Sequence, residues 1–256
     1  MKILFFSKKH YPYIEKKIRS NFDIVDNEGE ICIAVGGDGT FIHAAQKVSC
    51  PIILIRDNTL DSTGYYSDLG IDRIDEVIKL IKEKKYFVES LGKKLLLIYK
   101  NKKYYAVNEC YLSNNIGEVS FKIYEIINNK RQEIYPFIVG GDGVIISSKI
   151  GSTAYNRSAG GPILLENDVF CITFINPDGP YKNSLVVNSN KTIEIEISKY
   201  EGNLRYDNFN VGKIKTGDSF KVKSSNKEIK IIKLNGIYEN FGDKLRRIIR
   251  SKMQSV

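Results

Sequence analysis

The chain has 256 residues, of which 42% are hydrophobic and 27% charged. That balance excludes a disordered chain, and the length suffices to bury a substantial core without metal or disulfide staples. Lys and Arg exceed Asp and Glu by nine, but the lysines are scattered through residues 82–85, 93–94, 100–103 and 221–233, so the expectation is a solvated basic surface and no nucleic-acid partner.

The apolar run in Met1–Ser7 is too short for a signal peptide, and no stretch approaches the roughly 20 apolar residues of a membrane helix. A cytoplasmic protein with no membrane partner is therefore expected. The first third alternates strand and helix. A strand at Ile3–Phe6 is followed by a helix at Tyr13–Ser20, a strand at Ile31–Val35, a glycine turn, a helix at Phe41–Lys47 and a strand at Ile52–Ile55. Such alternation predicts an α/β layer with a parallel sheet. Ile74, Val77, Ile78 and Ile81 recur at helical spacing and predict an amphipathic helix up to Lys85.

Beyond Phe87 the pattern becomes short β-branched and aromatic runs: Lys94–Tyr99, a turn at Asn101-Lys102-Lys103, Tyr104–Val107, Val119–Ile127, Gly143–Ser147, Phe170–Phe174, Thr192–Ile197 and Glu228–Leu234. These predict an antiparallel, β-rich second domain. One helix interrupts it near Thr153–Ala159, ended by Gly160-Gly161-Pro162. A last helix, Phe241–Met253, is expected to pack back on the first domain. The predicted division is residues 1–90 plus 238–256, and residues 91–237. Cys32, Cys50, Cys110 and Cys171 form no CxxC pair, and His10 and His43 are the only histidines. Buried free thiols of a reducing compartment are expected, and no zinc site.

The most informative segment is Ile31-Cys32-Ile33-Ala34-Val35-Gly36-Gly37-Asp38-Gly39-Thr40. An apolar strand runs directly into three glycines around one aspartate, then into a helix. Ligands bind at the carboxyl ends of parallel strands, where glycines let backbone N–H groups approach phosphate oxygens and a helix start favours negative charge. Asp38 then either accepts a proton from an attacking hydroxyl or helps to hold a metal. The spacing matches neither the P-loop nor GxGxxG.

A second unusual segment runs from Gly140-Gly141-Asp142-Gly143 through Ser147 to Gly151-Ser152-Thr153-Ala154-Tyr155-Asn156-Arg157-Ser158-Ala159-Gly160-Gly161-Pro162. Small hydroxyl residues at a helix start offer donors and an open surface for a ring or a ribose, and Tyr155 offers an aromatic face. Ser152 or Thr153 is expected to cap the helix. Between the two segments, Val107-Asn108-Glu109-Cys110 places a polar pair at a strand end, which alone reads as a turn.

GGDGT at Gly36–Thr40, Asn108-Glu109, GDG at Gly141–Gly143 and GSTAYxxSAGGP at Gly151–Pro162 occur in the order found in NAD kinases, and the chain resembles that family over nearly its full length. GGDG alone is shared with phosphofructokinases and with diacylglycerol and sphingosine kinases, which leaves a lipid or sugar kinase, or a non-catalytic dinucleotide-binding protein, as alternatives. GSTAY followed by SAGGP is far more specific. The resemblance implies transfer of a phosphoryl group from ATP or a similar donor to the adenosine 2′-hydroxyl of NAD, with Mg²⁺ carried on the donor and no metal ligated directly by the protein. It implies that Asp38 is the base, with Gly36, Gly37, Gly39 and Thr40 serving the donor phosphates. Asp38, Gly39, Asn108, Glu109, Asp142, Thr153, Ala154, Tyr155, Ser158 and Asp207 would bind NAD, in a homodimer or homotetramer. Gly140 stands where the family often has a basic residue, Lys149-Ile150 replaces a proline turn, and Asn208-Phe209 replaces a glycine and glutamine. Residues 58–66 match the family's glycine-rich loop only weakly.

Overall fold

The computed structural model describes residues 1–59, 64–114, 117–179, 183–240, 242–246 and 250. The chain divides into two compact units, one of residues 1–90 with 229–256 and one of residues 91–228.

In the first unit the order is β1 (Lys2–Ser7), α1 (Pro12–Arg19), β2 (Asp23–Ile24), β3 (Ile31–Gly36), α2 (Asp38–Lys47), β4 (Ile52–Arg56), β5 (Leu69–Gly70) and α3 (Ile74–Lys82). Strands β2, β1, β3 and β4 pair side by side, all parallel. Every residue of β3 is buried, as a strand covered on both faces requires. Ile33, Val35, Ile53 and Ile55 meet Ile14 and Ile18 of α1 and Ile74, Val77, Ile78 and Ile81 of α3 in one core. The helical periodicity of α3 is therefore its packing face. The helix stops at Lys82 rather than Lys85, because Lys84 adopts φ +53° and returns its N–H to Ile81 O, ending the helical run.

The second unit continues with β6 (Tyr86–Tyr99), β7 (Lys102–Ala106), β8 (Glu109–Ser113), β9 (Val119–Ile127), β10 (Lys130–Glu133), β11 (Val139–Gly141), β12 (Gly143–Ser147), α4 (Tyr155–Ser158), β13 (Val169–Ile175), β14 (Leu185–Asn188), β15 (Thr192–Lys199), β16 (Gly202–Tyr206), β17 (Phe209–Ile214) and β18 (Ser219–Leu234). The first residues of β6 and the last six of β18 belong to the first unit. There Ile231 pairs in parallel with Ile52 of β4, which is why the chain returns at residue 229, ahead of 238. One antiparallel layer has the order β10-β9-β15-β18, and the other β14-β13-β12-β8-β16-β17. Between them lies a core that includes Phe121, Ile123, Ile195, Phe220, Cys110, Leu112, Val144, Ile146, Phe170 and Ile172.

Several local expectations give way to local chemistry. The β6–β7 hairpin turns at Lys100-Asn101, both with positive φ, so Lys102 pairs with Tyr99 rather than sitting in the turn; this is the handedness a two-residue hairpin demands. The helix expected at Thr153–Ala159 is a 3₁₀ turn, Gly151–Thr153, followed by the single turn α4, with Ala154 between them at φ −97°, ψ −124°. Ser152 and Thr153 cap nothing. Their hydroxyls donate to Lys149 O (2.6 Å) and Ile150 O (3.2 Å), the backbone competition that makes such residues poor helix formers. The stop is as expected: Gly160, at φ +81°, returns its N–H to Arg157 O and Gly161 to Asn156 O at 2.9 Å, a Schellman closure. Residues 242–246 and 250 are helical, the rest of the expected final helix lying outside the described residues. That helix packs on the first unit, where the Lys244 ammonium meets Asp68.

Candidate functional site

In the first unit β3 delivers Gly36 at φ +147°, and Gly37 is the N-cap of α2. The helix thus begins at Asp38, three residues before the expected Phe41. Thr40 N–H and Phe41 N–H both return to Gly37 O, at 2.8 and 3.3 Å. A side chain at Gly36 would run into the Thr40 hydroxyl, so the tight turn needs both glycine and the buried Thr40. The first amides and the positive end of α2 face the loop. Asp38 is half-buried, and its Oδ1 accepts the N–H of Tyr66 at 3.2 Å. Tyr66 in turn stacks on Phe41 with ring centroids 4.1 Å apart.

Lys8, which the sequence reading passed over, follows β1 beside β3, and its Nζ lies 3.8 Å from where a Cβ would stand on Gly39. Burial, then Lys8 and Lys47, hold His43 below the usual imidazole range, so the surroundings of the loop are electropositive. The signal for Lys8 was its place immediately after a parallel strand, readable only once β1 is known to neighbour β3.

In the second unit the face of β8 and β12 turned away from the core carries the other candidates. Cys110 and Leu112 point inward, while Glu109, Tyr111 and Ser113 alternate to the opposite face. Opposite them on β12 stand Ser147, Ile145 and Gly143. Asn108 lies in the bend between β7 and β8, as a turn reading expects, while Glu109 opens β8, and both are buried. Their backbone is held by Asp207, whose carboxylate accepts N–H groups from Val107 (2.9 Å), Asn108 (2.7 Å) and Glu109 (3.3 Å). Asp207 occupies the β16–β17 turn at φ +46° and is 3% exposed. The other side of the same stretch is fixed by Ser148, which donates to Val107 O at 2.8 Å and accepts Gly151 N–H at 3.2 Å.

Glu109 is the most perturbed of these groups. Burial, then the Asp207 carboxylate, push it up to about 8. Its Oε2 is buried without a hydrogen-bond partner among the described residues, an arrangement whose cost is of order 1–3 kcal/mol unless something else satisfies it. Tyr155 is partly exposed and meets Tyr111 edge to face at 5.3 Å. Burial, then Tyr111, Glu109 and Asp142, raise its phenol above the ordinary range. Thr153 and Ala154 are half-buried and Ser158 is exposed. Asp142 is exposed at the opposite end of β12 from the Ser147–Glu109 pair, roughly 16 Å along the strand at about 3.3 Å per residue. The structure therefore brings Asn108, Glu109, Asp207 and Tyr155 together, and Asp142, at the other end of β12 from Glu109, still lies close enough to Tyr155 for its charge to act there.

Three residues of this face were not anticipated. Tyr111 is two residues beyond Glu109 and shares its side of the strand. Arg205 pairs with Tyr111 across the β8–β16 ladder, with its Nε buried and unbonded among the described residues. Asn156 is fully buried, accepting the Thr173 hydroxyl at 2.7 Å and the Cys171 thiol at 3.3 Å, and donating to Pro162 O at 2.9 Å. It fastens α4 to the sheet.

Residues 107–234, the part that carries this face, match the family described as ATP-NAD kinase C-terminal domain. The chain is 30% identical to the NAD kinase of Sulfurimonas denitrificans over 83% of its own length and 75% of that protein, and 30% identical to the NAD kinase of Acetivibrio thermocellus over 94% and 84%. The chain belongs to the NAD kinase family. Its fold is shared with a crystal structure of an NAD kinase from Archaeoglobus fulgidus in complex with ATP, at a TM-score of 0.73 and 19% identity over 96% of this chain and 99% of that one. It is shared too with yeast NADH kinase complexed with NADH, at 0.77 and 16% over 97% and 86%.

Within the NAD kinase family this member's departures have local reasons. A Cβ at Gly140 would stand 2.5 Å from Glu118 Oε1, which also receives the Ser120 hydroxyl at 2.7 Å. A basic side chain there would have to displace that carboxylate. At Lys149-Ile150, Ile150 is buried and the Ser148 hydroxyl holds the bend.

Proposed function

We propose that the protein transfers the terminal phosphoryl group of ATP, or of a similar donor, to the adenosine 2′-hydroxyl of NAD. The observation that carries this reading is Glu109: a buried carboxyl oxygen without a partner among the described residues, next to Asn108 and on the same side of β8 as Tyr111, which meets Tyr155 edge to face. Raised to about 8, the group is protonated near neutral pH and offers both an O–H donor and an acceptor, and a ribose hydroxyl beside an aromatic face can meet either. Asn108, Glu109, Thr153, Ala154, Tyr155 and Ser158 would hold the dinucleotide, with Asp142 taking the end of the ligand farthest from Glu109. Asp207 would serve NAD through the backbone it fixes.

Gly36, Gly37, Gly39 and Thr40 would bind the donor phosphates at the start of α2, with Lys8 as a counter-charge. Asp38 takes the proton as the 2′-oxygen bonds to phosphorus, and the bond from phosphorus to the leaving nucleoside diphosphate breaks. Most of the acceleration is positioning and electrostatic stabilisation. Mg²⁺ carried on the donor's oxygens would neutralise phosphate charge. A cytoplasmic homo-oligomer is part of the same reading, supported by the free cysteines and by the exposed apolar side chains of Leu165 and Val186.

The test is incubation with NAD or NADH, Mg²⁺ and either ATP or polyphosphate, reading the phosphorylated product with an NADP-specific dehydrogenase. Formation of that product is expected. Its absence with every donor, or phosphorylation of diacylglycerol or a sphingoid base instead, would refute the reading.

A further inference from the structure

Three buried charged side chains of the first unit lie away from the glycine loop. Lys233, in the last residues of β18, is 3% exposed and places Nζ 2.9 Å from Asp68 Oδ2. Lys244, within helical residues 242–246, places Nζ 2.9 Å from Asp68 Oδ1. The same carboxylate accepts the N–H of Glu239 at 3.3 Å. Burial alone would raise Asp68, but Lys244 and Lys233 hold it below the usual carboxylate range. The final helical turn is itself set by Asn240, whose side-chain oxygen accepts Asp243 N–H at 2.9 Å. A buried ammonium is a costly way to dock a helix, since an apolar residue would pack there without losing hydration.

The position of Nζ gives that cost a use. Lys244 also donates to Tyr65 O at 2.8 Å. The peptide unit whose oxygen is bound by Lys244 is the one whose N–H, that of Tyr66, is bound by Asp38 Oδ1 at 3.2 Å. A trans peptide is planar, so its C=O and N–H point in opposite directions and turn together. A cation on the oxygen fixes the plane and polarises the N–H toward the carboxylate. The Tyr66–Phe41 stack anchors the turn on α2.

We infer that Lys244 is a positioning residue for the phosphoryl transfer: seated on Asp68, it orients the Tyr65–Tyr66 peptide and through it the Asp38 carboxylate. The inference rests on the reading of Asp38 as the base. It gives the final helix a part in the chemistry without touching either substrate.

The experiment compares Lys244→Met and Lys244→Arg in the full chain, alone and combined with Asp38→Asn, measuring kcat, both KM values and thermal unfolding. Lys244→Met is expected to lower kcat about tenfold or more, the loss of one charge-assisted bond, with KM for NAD and donor within about twofold. Lys244→Arg, which keeps a cation and donors at the Tyr65 carbonyl, restores most of it. In the Asp38→Asn background the Met substitution costs nothing further, because the group being positioned is gone. Should Lys244→Met fail to fold, Lys244→Gln is read by the same criteria. An unchanged kcat, a change confined to KM, or an equal loss in the Asp38→Asn background would overturn the inference. Failure of the unaltered chain to make NADP would instead refute the reading beneath it.

Discussion

The carboxylate of Asp207 receives the backbone N–H of Asn108 at 2.7 Å, and no sequence motif links the two residues, which stand 99 positions apart. The turn of one hairpin thereby sets the entry into another strand. Asp207→Asn replaces a charged acceptor of three N–H groups by a neutral amide whose own N–H₂ faces donors. The expected loss is about 1.5–3 kcal/mol, seen by calorimetric titration as NAD affinity weakened at least about tenfold. Unaltered affinity would remove Asp207 from this role.

Glu109 makes stability depend on pH in a definite direction. Its folded value is raised from 4.5 to about 8, so the folded state holds the proton more tightly than the unfolded one. That contribution is complete below pH 4.5 and is lost as pH rises toward 8. The melting temperature of the unaltered protein should therefore fall relative to that of Glu109→Gln across pH 5–8. Parallel profiles for the two proteins would contradict the assignment.

Asp38→Asn keeps the shape of the carboxylate and removes its basicity. Turnover should fall by roughly 10²–10⁴, as for other general bases, while titration with NAD gives nearly the original affinity. Near-normal turnover would show that the proton goes elsewhere.

Lys8→Met deletes a cation beside Gly39 at an exposed position just past β1. KM for the donor should rise several-fold, and more steeply at low salt, where exposed charges act over a longer range; KM for NAD should not change. An equal effect on both substrates would place Lys8 outside the donor site.

Much of the first unit was legible because β3 and β4 are buried on both faces and the helices on one. The run Ile31–Val35 and the spacing of Ile74, Val77, Ile78 and Ile81 state their packing directly. In the second unit β10 is Lys130–Glu133, fully exposed, and β11 is Val139–Gly141. Neither carries an alternating apolar pattern: β10 is held by its ladder with β9 and by Arg131 on Glu194 and Glu196, and in β11 the buried Val139 is the only residue besides glycine. The candidate ligand-facing residues divide in the same way. Glycine-rich runs and GSTAY were visible because their composition is unusual, whereas Tyr111, Arg205 and Lys8 look ordinary until strand pairing puts them beside the others. The expectation that Ser152 or Thr153 caps the helix rests on residue identity alone. The structure shows that their hydroxyls turn back to carbonyls three residues earlier.

The attachment of Asn156 bears on how quickly the site can be used. A helix of one turn has no stability of its own, yet α4 is tied through this side chain to Thr173, Cys171 and Pro162 and closed by two glycines. On the proposed function, the wall that an incoming dinucleotide would meet is thus already folded, and little ordering entropy would remain to be lost on arrival. Association on this face should follow a single exponential whose rate grows linearly with ligand concentration, without the plateau that a slow rearrangement imposes, and the strength of binding should be decided by how slowly the ligand leaves.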